Sequence, residues 1–172
     1  MTREAPMTFP SEILISHVFS PLGVSRQDVD QAAGTGCVQV LDWLWEESNG
    51  RVYPSSAGLH MAAAAGKIAT LEWAHSRGLR GFEGVMDVAA WTGGLSVLKW
   101  LLANRVEGCT INAINWAARS GQLKALRWLR DHVGRHECTS EGLEAAATAG
   151  HVRVVAWLLR NNNNRYRTAA GS

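Results

Sequence analysis

The side chains best equipped for chemistry are three cysteines, Cys37, Cys109 and Cys138, and two histidines, His132 and His136, close to the last of them. Imidazole and thiolate are zinc ligands, so His132, His136 and Cys138, with Cys109 further back, form the nearest approach to a metal cluster. The spacing argues against it. Gly134 is expected to break a helix between the two histidines, and the Cys109 to Cys138 interval matches the repeat period described below, which sets the thiols roughly 10 Å apart, as in neighbouring packed helices. Neither a disulfide nor a tetrahedral site fits that separation. There is no nucleophile elbow, no phosphate-cradling loop ending in Gly-Lys-Ser/Thr, and no paired-histidine helix of a metalloprotease. The expectation is therefore a non-enzyme with no catalytic residue, metal or cofactor. An odd number of cysteines, widely spaced and not preceded by a secretory-type start, reads as free thiols in a reducing compartment, cytoplasmic or nuclear. No apolar run approaches the roughly 18 residues of a membrane span, so a soluble chain is expected.

What positions these residues is an internal repeat. One pattern recurs five times: a small pair, two variable residues, a glycine, then an apolar stripe ending in tryptophan. The copies run Ala32-Ala33, Gly36, Leu41, Trp43; Ala62-Ala63, Gly66, Leu71, Trp73; Ala89-Ala90, Gly93, Leu98, Trp100; Ala117-Ala118, Gly121, Leu126, Trp128; and Ala146-Ala147, Gly150, Val155, Trp157. The glycines at 36, 66, 93, 121 and 150 are 30, 27, 28 and 29 residues apart, too long for a heptad and long enough for two short helices. The alanine pair lets first helices approach closely, and the glycine supplies a turn of positive φ. The second helix carries a wide apolar stripe, such as Val38, Val40, Leu41, Trp43 and Leu44, which needs neighbours on several sides. The five phased tryptophans are expected in the core. Ser25, Ser55 or Ser56, Thr110, and Thr139 or Ser140 stand where first helices should be capped. The third unit has Gly81-Phe82-Glu83-Gly84 instead, so its first helix is expected to be the most frayed.

Residues 57–66, Ala-Gly-Leu-His-Met-Ala-Ala-Ala-Ala-Gly, resemble the ankyrin pattern Thr-Pro-Leu-His-x-Ala-Ala-x-x-Gly, and 150–159, Gly-His-Val-Arg-Val-Val-Ala-Trp-Leu-Leu, resemble the second half of such a unit. The phased tryptophans, with Gly108-Cys109 and Glu137-Cys138 before new units, are similar to divergent, shortened ankyrin repeats. The resemblance implies an all-α, ankyrin-like α-solenoid of about five helix-turn-helix repeats over 25–160. Each unit is roughly three to six residues below the usual length, leaving the β-hairpin fingers short or vestigial. It also implies that His60 holds turns together by hydrogen bonds, and that partner recognition falls to the exposed edge of the first helices.

By that resemblance, Trp91 occupies the variable pair facing the concave groove, Arg119 and Ser120 hold the same place one unit later, and Trp116 lies at the groove edge. Tryptophan and arginine are the types most enriched at interface hot spots. Trp91, Trp116, Arg119 and Ser120 are therefore the candidate partner-binding residues; Trp91 reads equally as cover for a thin interface between units.

Residues 1–24 form a separate segment. Phe9-Pro10-Ser11-Glu12-Ile13-Leu14, with Val18-Phe19 and Leu22, resembles the opening helix of an F-box, which implies a ubiquitin-ligase substrate adaptor; the alternative is a capping helix over the first repeat. Residues 161–172, starting at the asparagine run, have no apolar period and are expected to be a flexible tail. Charge is uneven: residues 1–104 hold 7 basic and 10 acidic side chains, 105–172 hold 10 and 5, giving −3 and +5. Lys124, Arg127 and Arg130 share one helical face, read either as a solvated face or as a basic stripe for nucleic acid. The leading functional expectation is protein–protein interaction.

Overall fold

The computed structural model describes residues 24–133 and 138–169, with side chains to Asn161. The capping or F-box-like segment, residues 1–23, lies outside the described residues, as does His136. Within them the chain is all-helical: ten helices and no strand. They come in five pairs: α1 (Arg26–Thr35) with α2 (Val38–Glu47), α3 (Ser56–Ala64) with α4 (Ile68–Ser76), α5 (Val85–Thr92) with α6 (Leu95–Asn104), α7 (Ile111–Arg119) with α8 (Leu123–His132), and α9 (Ser140–Thr148) with α10 (Val152–Ala169). None of these helices is long and apolar enough to cross a membrane.

The turn inside each pair has one design. Gly36, Gly66, Gly93, Gly121 and Gly150 all take φ between 70° and 84°, a conformation that costs any side chain with a Cβ about 1 kcal/mol or more. The first helices start on the expected hydroxyls, with Ser25, Ser55, Thr110 and Thr139 accepting from N–H groups of their own first turns. Helix α5 starts on Gly84 with no side-chain cap and is the shortest, yet Val85, Met86, Asp87, Ala89 and Ala90 are buried. Tertiary burial replaces the missing cap at the point where fraying was expected.

Packing follows the same order. Each first helix contacts the next first helix, α1 on α3, α3 on α5, α5 on α7 and α7 on α9, while second helices α2, α4, α6 and α8 contact in succession behind them. Ala33, Ala62, Ala63, Ala89, Ala90, Ala117 and Ala118 are fully buried at the close approach of the first helices. Leu41, Leu71, Leu98 and Leu126, at one position of the second helices, fill the space between the two rows. Thr70 ties the rows across pairs by donating to the Ala33 carbonyl at 3.2 Å.

The tryptophan expectation needs correction. Of the five phased residues only Trp73 is deeply buried, at 5% exposure; Trp100, Trp128 and Trp157 are half-buried and Trp43 is 41% exposed. The tryptophan position lies at the rim of the second-helix row, where burial depends on the helix before it. Trp73 has α2 against it: its indole N–H donates to Asp42 at 2.7 Å and its ring meets Trp45 edge-on. No described second helix precedes Trp43. The expected tail also differs, since α10 continues as helix to Ala169. Asn161 Nδ2 donates to the Trp157 carbonyl and Arg130 donates to Asn161 Oδ1, holding the helix where the asparagine run begins.

Candidate functional site

The four candidate residues come together at the C-terminal ends of α5 and α7. Trp116 and Arg119 are three residues apart on α7 and so share a face. Trp91 sits two residues before its turn glycine, as Arg119 does one pair later, which makes them lateral neighbours on adjacent, contacting helices. Trp91 is 51% exposed and Trp116 39%, while Arg119 is exposed and, among the described residues, makes no ion pair or side-chain hydrogen bond. Ser120 has a different task. Its hydroxyl lies 2.6 Å from the Trp91 carbonyl and 2.7 Å from the Trp116 carbonyl, so its one proton is spent joining the two tryptophan-bearing turns. Ser120 ties together the backbone of the two tryptophan-bearing turns rather than offering a free donor.

The same face extends beyond these residues. Gln31, Gly34 and Thr35 on α1, with Met61, Ala64 and Ala65 at the end of α3, line an open depression. They hold the registers that Val88, Trp91 and Thr92 hold on α5 and that Trp116, Arg119 and Ser120 hold on α7. By register, the depression at α1 and α3 and the two exposed indoles at α5 and α7 lie at equivalent ends of successive first helices. Small residue types at the equivalent registers were the sequence signal for this half.

A second set of residues, of which the sequence had pointed only to His60, joins successive pairs. Six positions before the first four turn glycines stand Asp30, His60, Asp87 and Asn115, and each reaches the approach to the next first helix. Asp30 accepts from Ser55 N and Oγ at 2.7 and 2.6 Å, and Asp87 from Thr110 N and Oγ1 at 2.8 and 2.6 Å. Asn115 Oδ1 accepts from Thr139 N and Oγ1, both at 3.1 Å. Where the next helix starts on Gly84 instead of a hydroxyl, the latch is His60, whose Nε2 donates to the Glu83 carbonyl at 2.9 Å. This agrees with the turn-holding role its resemblance implied. The capping residues and their latches form one feature, visible only when both ends are compared.

On the opposite row, three arginines are engaged with rings and acids, while Lys124 and Arg127 are exposed. Arg77 lies over Trp73 with its guanidinium 4.5 Å from the ring centroid and pairs with Asp42; Arg105 lies 4.0 Å over Phe82 and pairs with Glu107; Arg130 lies 5.0 Å over Trp157. The Arg105 bond holds the Glu107 carboxyl below its ordinary range.

The thiols and imidazoles are dispersed. Burial pushes Cys138 up to about 11, and burial with the nearby Asp87 pushes Cys109 up to about 11, so both hold their protons at neutral pH. His132 stacks on Trp128 at 4.7 Å between centroids, and its Nδ1 donates to the Trp128 carbonyl. Cys37, Cys109 and Cys138 are free, and among the described residues no group of three potential ligands is placed to hold a metal ion.

The geometry defines a class, an all-helical array of paired helices with two exposed indoles on adjacent first helices. No family model matches the chain, and a search of curated proteins finds no match.

Proposed function

We propose that the chain is an ankyrin-like α-solenoid whose work is protein–protein interaction, with a partner segment seated in the groove along the first helices. The observation that carries this reading is the pair Trp91 and Trp116, two half-exposed indoles on neighbouring helices whose main-chain carbonyls meet at Ser120, flanked by Arg119, which has no ion pair among the described residues. Exposing two large aromatic surfaces side by side in water is unfavourable for a stable monomer, and such rings with an adjacent guanidinium are the usual anchors of a binding surface. The deeply buried tryptophan, Trp73, has its polar atom satisfied within the fold, whereas among the described residues the Trp91 and Trp116 indole N–H groups have no acceptor.

Protein is favoured over nucleic acid because the exposed ends of the first helices present two indoles beside one cation rather than a run of cations, and of the stripe Lys124, Arg127 and Arg130 the last is engaged over Trp157 and with Asp131. The test is to pan the intact chain against displayed peptides and then measure the selected ligands against Trp91→Ala and Arg119→Glu. Loss of a hot-spot tryptophan costs about 2 kcal/mol or more, so binding should fall at least about tenfold in each variant while the helical circular dichroism is unchanged. Ligands that bind both variants as tightly as the intact chain would sink this reading.

A further inference from the structure

The groove has a period, and the period restricts what fits it. Two residues before the turn glycine of each pair stand Gly34, Ala64, Trp91, Arg119 and Thr148, one position repeated on five successive first helices. Packed helices lie about 8–10 Å apart, so a ligand crossing them meets a new side chain of this row at that interval. A polyproline II segment has three residues per turn and rises about 3.1 Å per residue, which brings every third side chain to one face at about 9 Å. An extended strand returns to one face every second residue, at about 6.7 Å, and loses phase with the row within two pairs. A helical ligand matches only at every second turn, about 10.8 Å, and needs a wide apolar trough, whereas here the exposed Trp91 and Trp116 on α5 and α7 follow a shallow, open depression at Met61, Ala64 and Ala65.

Chemistry selects the same occupant. A polyproline II backbone makes no internal hydrogen bonds, so its carbonyls remain available to the two indole donors that have no acceptor among the described residues. Aromatic ridges are the surfaces on which such segments dock. Arg119, exposed and without an ion pair among the described residues, calls for a carboxylate.

Resting on the groove reading above, we infer that the partner presents a polyproline II segment with an acidic residue over Arg119, a proline three positions away against Trp91, and a small apolar residue three further on at Ala64. The acidic residue and the proline are thus separated by one turn of the ligand.

The experiment measures fluorescence anisotropy of labelled, proline-rich synthetic peptides with the full chain. In one series a single Asp stands two, three or four positions from a central proline, in both chain directions. The spacing of three is expected to bind at least about tenfold tighter than two or four. Replacing that Asp by Lys should abolish binding to the intact chain and restore it to Arg119→Glu, a charge swap that a merely structural arginine would not produce. Affinities indifferent to spacing, or a swap without rescue, overturn the inference. If these peptides fail while other selected peptides are lost on Trp91→Ala, the groove stands and this ligand chemistry falls. If no peptide of either kind responds to Trp91→Ala, both fall together.

Discussion

Breaking the Asp87 latch gives the sharpest test of how the pairs are joined. The Asp87 carboxylate is 2% exposed and receives two hydrogen bonds, from Thr110 N at 2.8 Å and Thr110 Oγ1 at 2.6 Å. Hydrogen bonds to a charged group contribute about 1.5–3 kcal/mol each; the lower figure applies because Thr110 is exposed enough for water to replace part of the loss. Asp87→Ala should therefore destabilise by about 3 kcal/mol. Thr110→Val removes one of those bonds and also the cap on Asn112 N, about 1.5 and about 1 kcal/mol, or about 2.5 together. In the double variant the shared bond is lost once rather than twice, so the cycle should show a coupling of about 1.5 kcal/mol. Asp87→Asn should cost only about half as much as Asp87→Ala, because Asn115 holds Thr139 through one oxygen at longer distances in the next pair. The assay is urea unfolding followed by far-UV circular dichroism, with an unchanged m-value as the check that the array still unfolds as a unit. A coupling below about 0.5 kcal/mol, or an asparagine variant as unstable as the alanine one, would refute the latch.

Three further outcomes follow from burial and space. Trp73→Ala should cost about 3–5 kcal/mol, as for a buried aromatic, and Trp43→Ala under about 1.5, read by the same unfolding curves; equal costs would contradict their placement. Gly58→Ala would put a Cβ 2.6 Å from Asp30 Oδ1 and 3.0 Å from the Asp30 backbone, so a loss of about 1–3 kcal/mol is expected from overpacking. Gly66→Ala meets nothing within 4 Å and should lose about 1 kcal/mol through its φ of 70° alone; a thermal midpoint unmoved in either variant would count against these mechanisms. Cys109 and Cys138, raised from 9 to about 11, bind protons more tightly folded than unfolded. Their contribution is complete below pH 9 and is lost as pH rises toward 11, so stability should fall over that window and fall less in the Cys109→Ala, Cys138→Ala double variant.

How much of this was legible in the sequence depended on whether a residue's role is set within its own helix pair or by the pair beside it. The turn glycines, the buried alanines and Leu41, Leu71, Leu98 and Leu126 act locally, through φ, size and helical spacing, and their types repeat with their positions. The ten helices were readable from them. Trp43 and Trp73 share a type and a register but differ in burial, because what covers Trp73 is Asp42, Trp45 and Arg77 from other turns. No count of period could separate them. Beyond His60, the latch failed to register for the converse reason: Asp30, Asp87 and Asn115 share its position and task but not its chemical type, and the task is defined by the cap they meet.

The groove combines both situations. Exposure of Trp91, Trp116 and Arg119 follows from their registers, whereas Ser120, sequentially adjacent and of a type suited to binding, is used up by carbonyls on two helices. That engagement bears on the proposed function as well as on the fold. A hydroxyl joining the α5 and α7 turns holds the backbone from which the two indoles project, so under the protein-binding proposal a partner would not have to meet the cost of ordering those turns. On that proposal Ser120 would act on affinity indirectly, through the backbone separation it imposes on the Trp91 and Trp116 turns.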